Sequence, residues 1–258
     1  MAAMPKPWLV LLPLATQALL LLIVSRVLFS GVLAALADRR GKGFWLAVLR
    51  LPGNLVHEYS HCLGFWLCGY RVQRVVLCIF DPRGRGSCQP GRPWSPVTLP
   101  WLAMGLAALM PLAVGSAVLV LAGQSLGVLH PPTDSGPGQY LSTVLASAAS
   151  LLEGLDWRQW QSYLFLYLAL SIGAELAPSA TDLRHALPAL LAMLAGVWLF
   201  FFAADHAPGL DQAARVAGRL LSVSTFWIGQ VWTATLVMTT AAAAMLLLPG
   251  LLIRALRR

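Results

Sequence analysis

The sequence predicts an all-α polytopic membrane protein of about six transmembrane helices, with one small β-hairpin following the second span. Three observations carry this. Of the 258 residues, 58% are hydrophobic and 11% charged, less than half the roughly 25% charged share of a soluble domain. Apolar stretches long enough to cross a bilayer, which takes about 20 residues each, recur along the chain and occupy much of it. Between the second and third of them, a β-branched run gives way to Asp, Pro and Gly, the pattern of a strand entering a turn. The connections left over are too short for a separate soluble domain. Residues 1–258 therefore read as a single membrane-embedded domain, with 71–96 as its hairpin.

The elements follow in order. The first apolar stretch, Trp8 to Ala37, is about twice as long as a signal-peptide core and reads as a retained anchor. The second runs from Phe44 to Tyr70 and contains Pro52-Gly53-Asn54, where a helix break is expected, with Asn54 capping a new helix. Val72 to Phe80 then reads as a strand, and Asp81-Pro82-Arg83-Gly84-Arg85-Gly86 as its turn. Further spans are expected at Val97 to Ala122, Ser162 to Ala177, Ala186 to Ala204 and Phe226 to Ile253. Trp157, Trp160 and Tyr163, just before the fourth span, suit a membrane interface. Asp211 to Leu221 reads as a short amphipathic helix.

Eighteen Lys and Arg against ten Asp and Glu give a net charge of +8, which in such a chain reflects cytoplasmic loops and anionic lipid, not nucleic acid. With six spans and the N-terminus inside, ten basic residues fall on the cytoplasmic side and six on the other. The expected location is thus a bacterial inner (plasma) membrane, crossed several times, with both termini and the hairpin cytoplasmic. Cys62, Cys68, Cys78 and Cys88 show no zinc-ribbon or CxxC spacing. A cytoplasmic hairpin would keep them as free thiols. Arg50 is expected to snorkel toward the interface, and Arg26 to mark a kink in the first helix.

His57-Glu58-Tyr59-Ser60-His61 is an HExxH motif on an apolar helix. Residues i and i+4 share one helix face, so the two imidazoles can bind one Zn2+, while Glu58 reaches a water held there and takes its proton. With five His and three Glu in the chain, about 0.001 chance occurrences of the motif are expected. Burying His, Glu and His together in a membrane helix is costly, and a metal is the simplest reason for it.

Catalytic zinc takes three protein ligands, and Asp182 ranks first for the third. It follows the fourth span, in the same half of the bilayer as His61. The competing reading is that Asp182, with Thr181, only caps the helix beginning near Leu183. Glu175 ranks next, as an alternative ligand or a supporting partner, because it would share a face with Asp182 if the helix continued that far. Asp81, better explained as a turn residue, and His185 rank below it.

With these pieces in place, the sequence resembles the site-2 protease family of intramembrane metalloproteases. The matching parts are His57-Glu58-x-x-His61 in a hydrophobic helix, Gly69-Tyr70-Arg71-Val72 entering the hairpin, and a distant aspartate after Pro178. Where the family commonly shows Asn-Pro-Asp-Gly, this chain has Pro178-Ser179-Ala180-Thr181-Asp182-Leu183. The resemblance implies zinc held by His57, His61 and Asp182, with Glu58 as the base. Clustered-histidine hydroxylases and CAAX-type proteases fit worse, since the chain has five His in all and neither Glu153 nor Glu175 has the required context. The expected activity is zinc-dependent hydrolysis of membrane-embedded protein substrates within the lipid bilayer. The hairpin strand at Val75, Val76 and Leu77 would either hold the substrate extended or merely plug the site. The alternative is a metal-binding membrane scaffold that retains the protease fold without hydrolysis.

Overall fold

The computed structural model describes residues 43–77, 86–94, 99–129, 151, 153–176, 179–207, 209–221, 223–224, 227–232 and 235. The expected first span, most of the sixth, Arg26, Cys78 and Asp81 lie outside the described residues. Helix α1 spans Gly43–Leu67 and is followed by strands β1 (Tyr70–Val76) and β2 (Ser87–Pro93). Then come α2 (Pro100–Ser125), α3 (Trp160–Glu175) and α4 (Ala180–His206). A further helix covers 211–221, where the amphipathic helix was expected, and residues 227–232 are helical as well.

The expected break at Pro52-Gly53-Asn54 does not occur, and α1 runs through it. Proline lacks an N–H, so Pro52 leaves the carbonyl four residues earlier without its helical donor. That carbonyl belongs to Val48, and the Tyr167 hydroxyl of α3 donates to it at 2.6 Å. The Gly53 N–H in turn donates to Ser171 Oγ at 3.1 Å. A neighbouring helix thus satisfies the polar backbone that the proline frees, which is how apolar helices tolerate proline. No helix starts at Asn54, which is buried inside α1.

Just past α1, Gly69 has φ +82°, the left-handed conformation that ends helices and favours glycine. The chain turns there into the antiparallel β1–β2 pair, with Val75 opposite Cys88 and Val76 opposite Ser87. The register shifts between Tyr70 and Val72 and again between Val72 and Arg74. Pro90, opposite Val72, has no N–H to give the ladder.

Helix α1 packs on α2 and α3, and α2 packs on α3 and α4. Small residues bring these axes close: a side chain at Gly64 would collide with Ala107, and one at Gly105 with Ala189. The main core gathers Leu119, Phe165, Ala169, Ile172 and Leu176 around Trp232, whose indole N–H donates to Ser116 Oγ at 2.9 Å. Two helices, Pro100–Ser125 and Thr181–His206, are long and apolar enough to cross a membrane. They coincide with the expected third and fifth spans. Helix α4 leaves Leu187, Leu191, Trp198 and Leu199 exposed, a lining suited to lipid. Trp157, Trp160 and Tyr163 are exposed too.

The expectation of free thiols is overturned at two positions. β2 folds back against α1, and Cys62 and Cys88 form a disulfide across Cα atoms 5.9 Å apart. The pairing joins residues 26 apart that no cysteine spacing rule connects; it arises only because the hairpin returns to its own helix. Cys68 is a free thiol. Denatured protein should therefore offer two fewer reactive thiols before reduction than after it. Equal counts before and after reduction, in protein alkylated during lysis, would contradict the Cys62–Cys88 bond.

Candidate metal centre

His57 and His61 sit one turn apart on the face of α1 that meets α2 and α3. The opposite face carries Tyr59, Leu63 and Trp66, all exposed, so the helix is apolar outward and polar inward. The two Nε2 atoms lie 3.2 Å apart, and the rings stand nearly perpendicular at 83°. Each Nδ1 has its own carbonyl. His57 Nδ1 donates to the Glu175 carbonyl at 2.6 Å, and His61 Nδ1 to the Ala107 carbonyl at 2.8 Å.

Both acceptors are carbonyls without a donor in their own helix. Ala107 lies four residues before Pro111, inside α2, so no N–H of its own helix reaches it. Glu175 is the last residue of α3, where terminal carbonyls lack intrahelical donors. A carbonyl only accepts, so each neutral imidazole must carry its proton on Nδ1 and present a bare Nε2 lone pair. Two such lone pairs 3.2 Å apart repel unless a cation lies between them. Tetrahedral zinc with nitrogens at about 2.0–2.1 Å would hold them roughly 3.3 Å apart.

The third donor comes from α4. Asp182 Oδ1 is 3.8 Å from His61 Nε2, and the candidate ligand atoms of His57, His61 and Asp182 all lie within 4.8 Å of one another. Asp182 also serves as a capping residue, although the cap is Ser179 and the helix starts at Ala180, earlier than expected. The Asp182 N–H donates to Ser179 Oγ at 3.0 Å, and the Ser179 N–H donates to Asp182 Oδ2 at 2.6 Å, a full capping box. The two oxygens are thus divided: Oδ2 secures the helix start while Oδ1 faces the histidines. The fit is that of a three-ligand site able to hold a metal ion.

Glu58 is buried, and its Oε2 has no hydrogen-bond partner among the described residues. Its carboxylate lies against Gly86 at the foot of β2, so closely that any side chain there would collide with it. The hairpin therefore covers the acid. The other carboxylate expected near the metal is engaged elsewhere: Glu175 Oε1 pairs with Arg50 Nε at 2.8 Å, and what Glu175 offers His57 is its main chain. It does not share a helix face with Asp182, because α3 ends at Glu175 and a new helix begins at Ala180. His185 stands one turn further along α4, half-buried and outside the converging group. Val75, Val76 and Leu77 are half-buried on the hairpin that covers Glu58.

Sequence reasoning had Arg50 snorkelling toward the interface, whereas it is buried and paired with Glu175, and it passed over the roles of Pro111, Ser179 and Gly86. Ser179 and Arg50 left a signal: Ser179-x-x-Asp182 has capping-box spacing, and Arg50 is a charge seven residues before His57 in an apolar helix. Gly86 left none.

Purified protein is expected to bind one equivalent of zinc and to lose it on substitution of His57 or His61 by Ala. Asp182→Ala should weaken binding more than Glu175→Ala does. Ser179→Ala, which removes only the cap at a cost of about 1 kcal/mol, should keep the metal. Loss of zinc in Glu175→Ala together with full occupancy in Asp182→Ala, read by competition against a chelator, would displace Asp182 as a ligand. No protein-family model, curated protein or solved structure matches this chain, so its activity has to be argued from the donor geometry itself.

Proposed function

We propose that the chain is an intramembrane zinc metalloprotease that hydrolyses peptide bonds of membrane-embedded protein substrates. The observation that carries this is the convergence of His57 and His61 Nε2 with Asp182 Oδ1, beside the buried Glu58 carboxylate, whose Oε2 has no hydrogen-bond partner among the described residues. Two imidazoles and one carboxylate also suit iron. Glu58, adjacent in sequence to the first ligand, supplies the base that hydrolysis needs and favours zinc.

Zinc bound by these three residues would supply the acidity that makes water a nucleophile at neutral pH and would polarise the scissile carbonyl. Glu58 accepts the proton of the attacking water and returns it to the leaving amide nitrogen as the C–N bond breaks. The carbonyl hydrogen bonds to Nδ1 hold both imidazoles in one tautomer throughout. The walls of α1 to α4 limit access of bulk water.

A helical substrate must unwind before its carbonyls can react. β1 offers it an edge, since β2 contains Pro90 and Pro93, which cannot donate to an added strand. Val75 and Val76 of β1, with Leu77 just past its end, are the residues we assign to holding substrate extended through main-chain hydrogen bonds. The chain would cross a bacterial plasma membrane about six times. The count of basic residues would put both termini and the hairpin in the cytoplasm, but the Cys62–Cys88 bond would persist only on an oxidising side and favours the inverted orientation; reduced thiols at both positions in living cells would restore the first.

The competing reading, a metal-binding scaffold without hydrolysis, draws its support from Gly86 lying on the Glu58 carboxylate. Sequencing of new protein N-termini in cells expressing wild type or Glu58→Gln separates the two. New termini within hydrophobic segments are expected with wild type and should fall by about 10²–10⁴-fold with Glu58→Gln, while bound zinc is unchanged. Val76→Pro, which removes one main-chain donor of β1 without touching the candidate zinc ligands, should reduce them with zinc content intact. Identical profiles for wild type and Glu58→Gln, both loaded with zinc, favour the scaffold.

A further inference from the structure

Arg50 precedes His57 by two turns of α1, so both side chains leave the same helix face. The end of α3 lies opposite that face, and one residue there serves both. The Glu175 carboxylate accepts from Arg50 Nε at 2.8 Å, and the Glu175 carbonyl accepts from His57 Nδ1 at 2.6 Å. The contact closes a polar seam that begins one turn and two turns earlier on α3, with Ser171 receiving the Gly53 N–H and Tyr167 donating to the Val48 carbonyl. Gly53 has to be glycine for the seam to close, because a side chain there would collide with the Ser171 carbonyl and the Glu175 side chain.

The last carbonyl of a helix is the least constrained one, because no later N–H of that helix holds it. Here it must stay at hydrogen-bond distance from a metal ligand. Its own side chain is what ties it down, through an ion pair whose arginine side chain is only 7% exposed. Enclosing a guanidinium among apolar helices is costly, and a tie between helices alone could be made by an apolar contact. The pair also puts a cation at the C-terminus of α3, where the helix dipole favours one.

We infer that Arg50 is a positioning residue of the metal centre: through the Glu175 carboxylate it holds the terminal carbonyl of α3 against His57 Nδ1, and so keeps Nε2 aimed at the metal. The inference rests on the metal reading above and deepens it. Arg50 touches neither substrate nor metal, so the readout has to be the metal's own environment.

The test is Co2+ titration of the purified full-length chain, followed by d–d absorption, in wild type, Arg50→Lys and the double variant Arg50→Met with Glu175→Met. The double exchange removes the pair without stranding a lone buried charge, and Arg50→Lys keeps a cation but loses the planar guanidinium. The double variant is expected to bind Co2+ about tenfold more weakly, as loss of supporting partners generally does, with a shifted d–d band. Arg50→Lys should lie between it and wild type. Either variant, folded by circular dichroism, with wild-type affinity and an unchanged band overturns the inference and leaves Arg50 a structural tie. Wild-type protein that takes up no Co2+ overturns the metal reading itself.

Discussion

Where apolar helices pack together, a backbone carbonyl that loses its helical donor takes another, and three such carbonyls organise this molecule. Val48 is freed by Pro52 and takes the Tyr167 hydroxyl. Ala107 is freed by Pro111 and takes His61. Glu175, at the end of α3, takes His57. The first fastens α1 to α3, and the other two fix the tautomer of each histidine. Proline and helix termination, which weaken a helix taken alone, here create the acceptors on which the centre is built. The packing that brings those acceptors within reach depends on Gly53 and Gly64, where any side chain would hold the helices apart.

The same reasoning explains why a carboxylate and two imidazoles can sit together among apolar helices. Ionised or polar groups are costly there unless each has a partner. Both Nδ1 atoms, Asp182 Oδ2 and the Glu175 carboxylate are each committed to a protein partner. What remains uncommitted at the centre is a set of lone pairs facing one another, together with one oxygen of Glu58. That residue of unsatisfied electron density is the argument for a cation with a base beside it. The geometry of the site is carried by atoms other than those whose lone pairs face one another: both Nδ1 atoms and Asp182 Oδ2 hold the candidate ligands in place.

Much of this was legible in the sequence, and the rest was hidden for physical reasons. Periodicity put His57 and His61 on one face, and Asp182 converges on them, as its place after the expected fourth span suggested. The hairpin also lies where the Val72 run and its turn residues indicated. Pro52-Gly53-Asn54 misled because local propensity cannot see that Tyr167 and Ser171 stand ready to satisfy the broken turn. The ion pair of Arg50 and Glu175, 125 residues apart, and the Cys62–Cys88 bond depend on which helices and strands become neighbours, which no window of sequence encodes. Asp182 was read as either a ligand or a cap; its two oxygens allow it to face the histidines and cap the helix at once.

The most direct measurement of the central claim is zinc X-ray absorption on the metal-loaded full-length protein. The account predicts two imidazole nitrogens and oxygen donors at about 2.0–2.1 Å, and no sulfur. A shell at about 2.3 Å, the zinc–thiolate distance, or the scattering of a single imidazole would contradict a centre built from His57, His61 and Asp182.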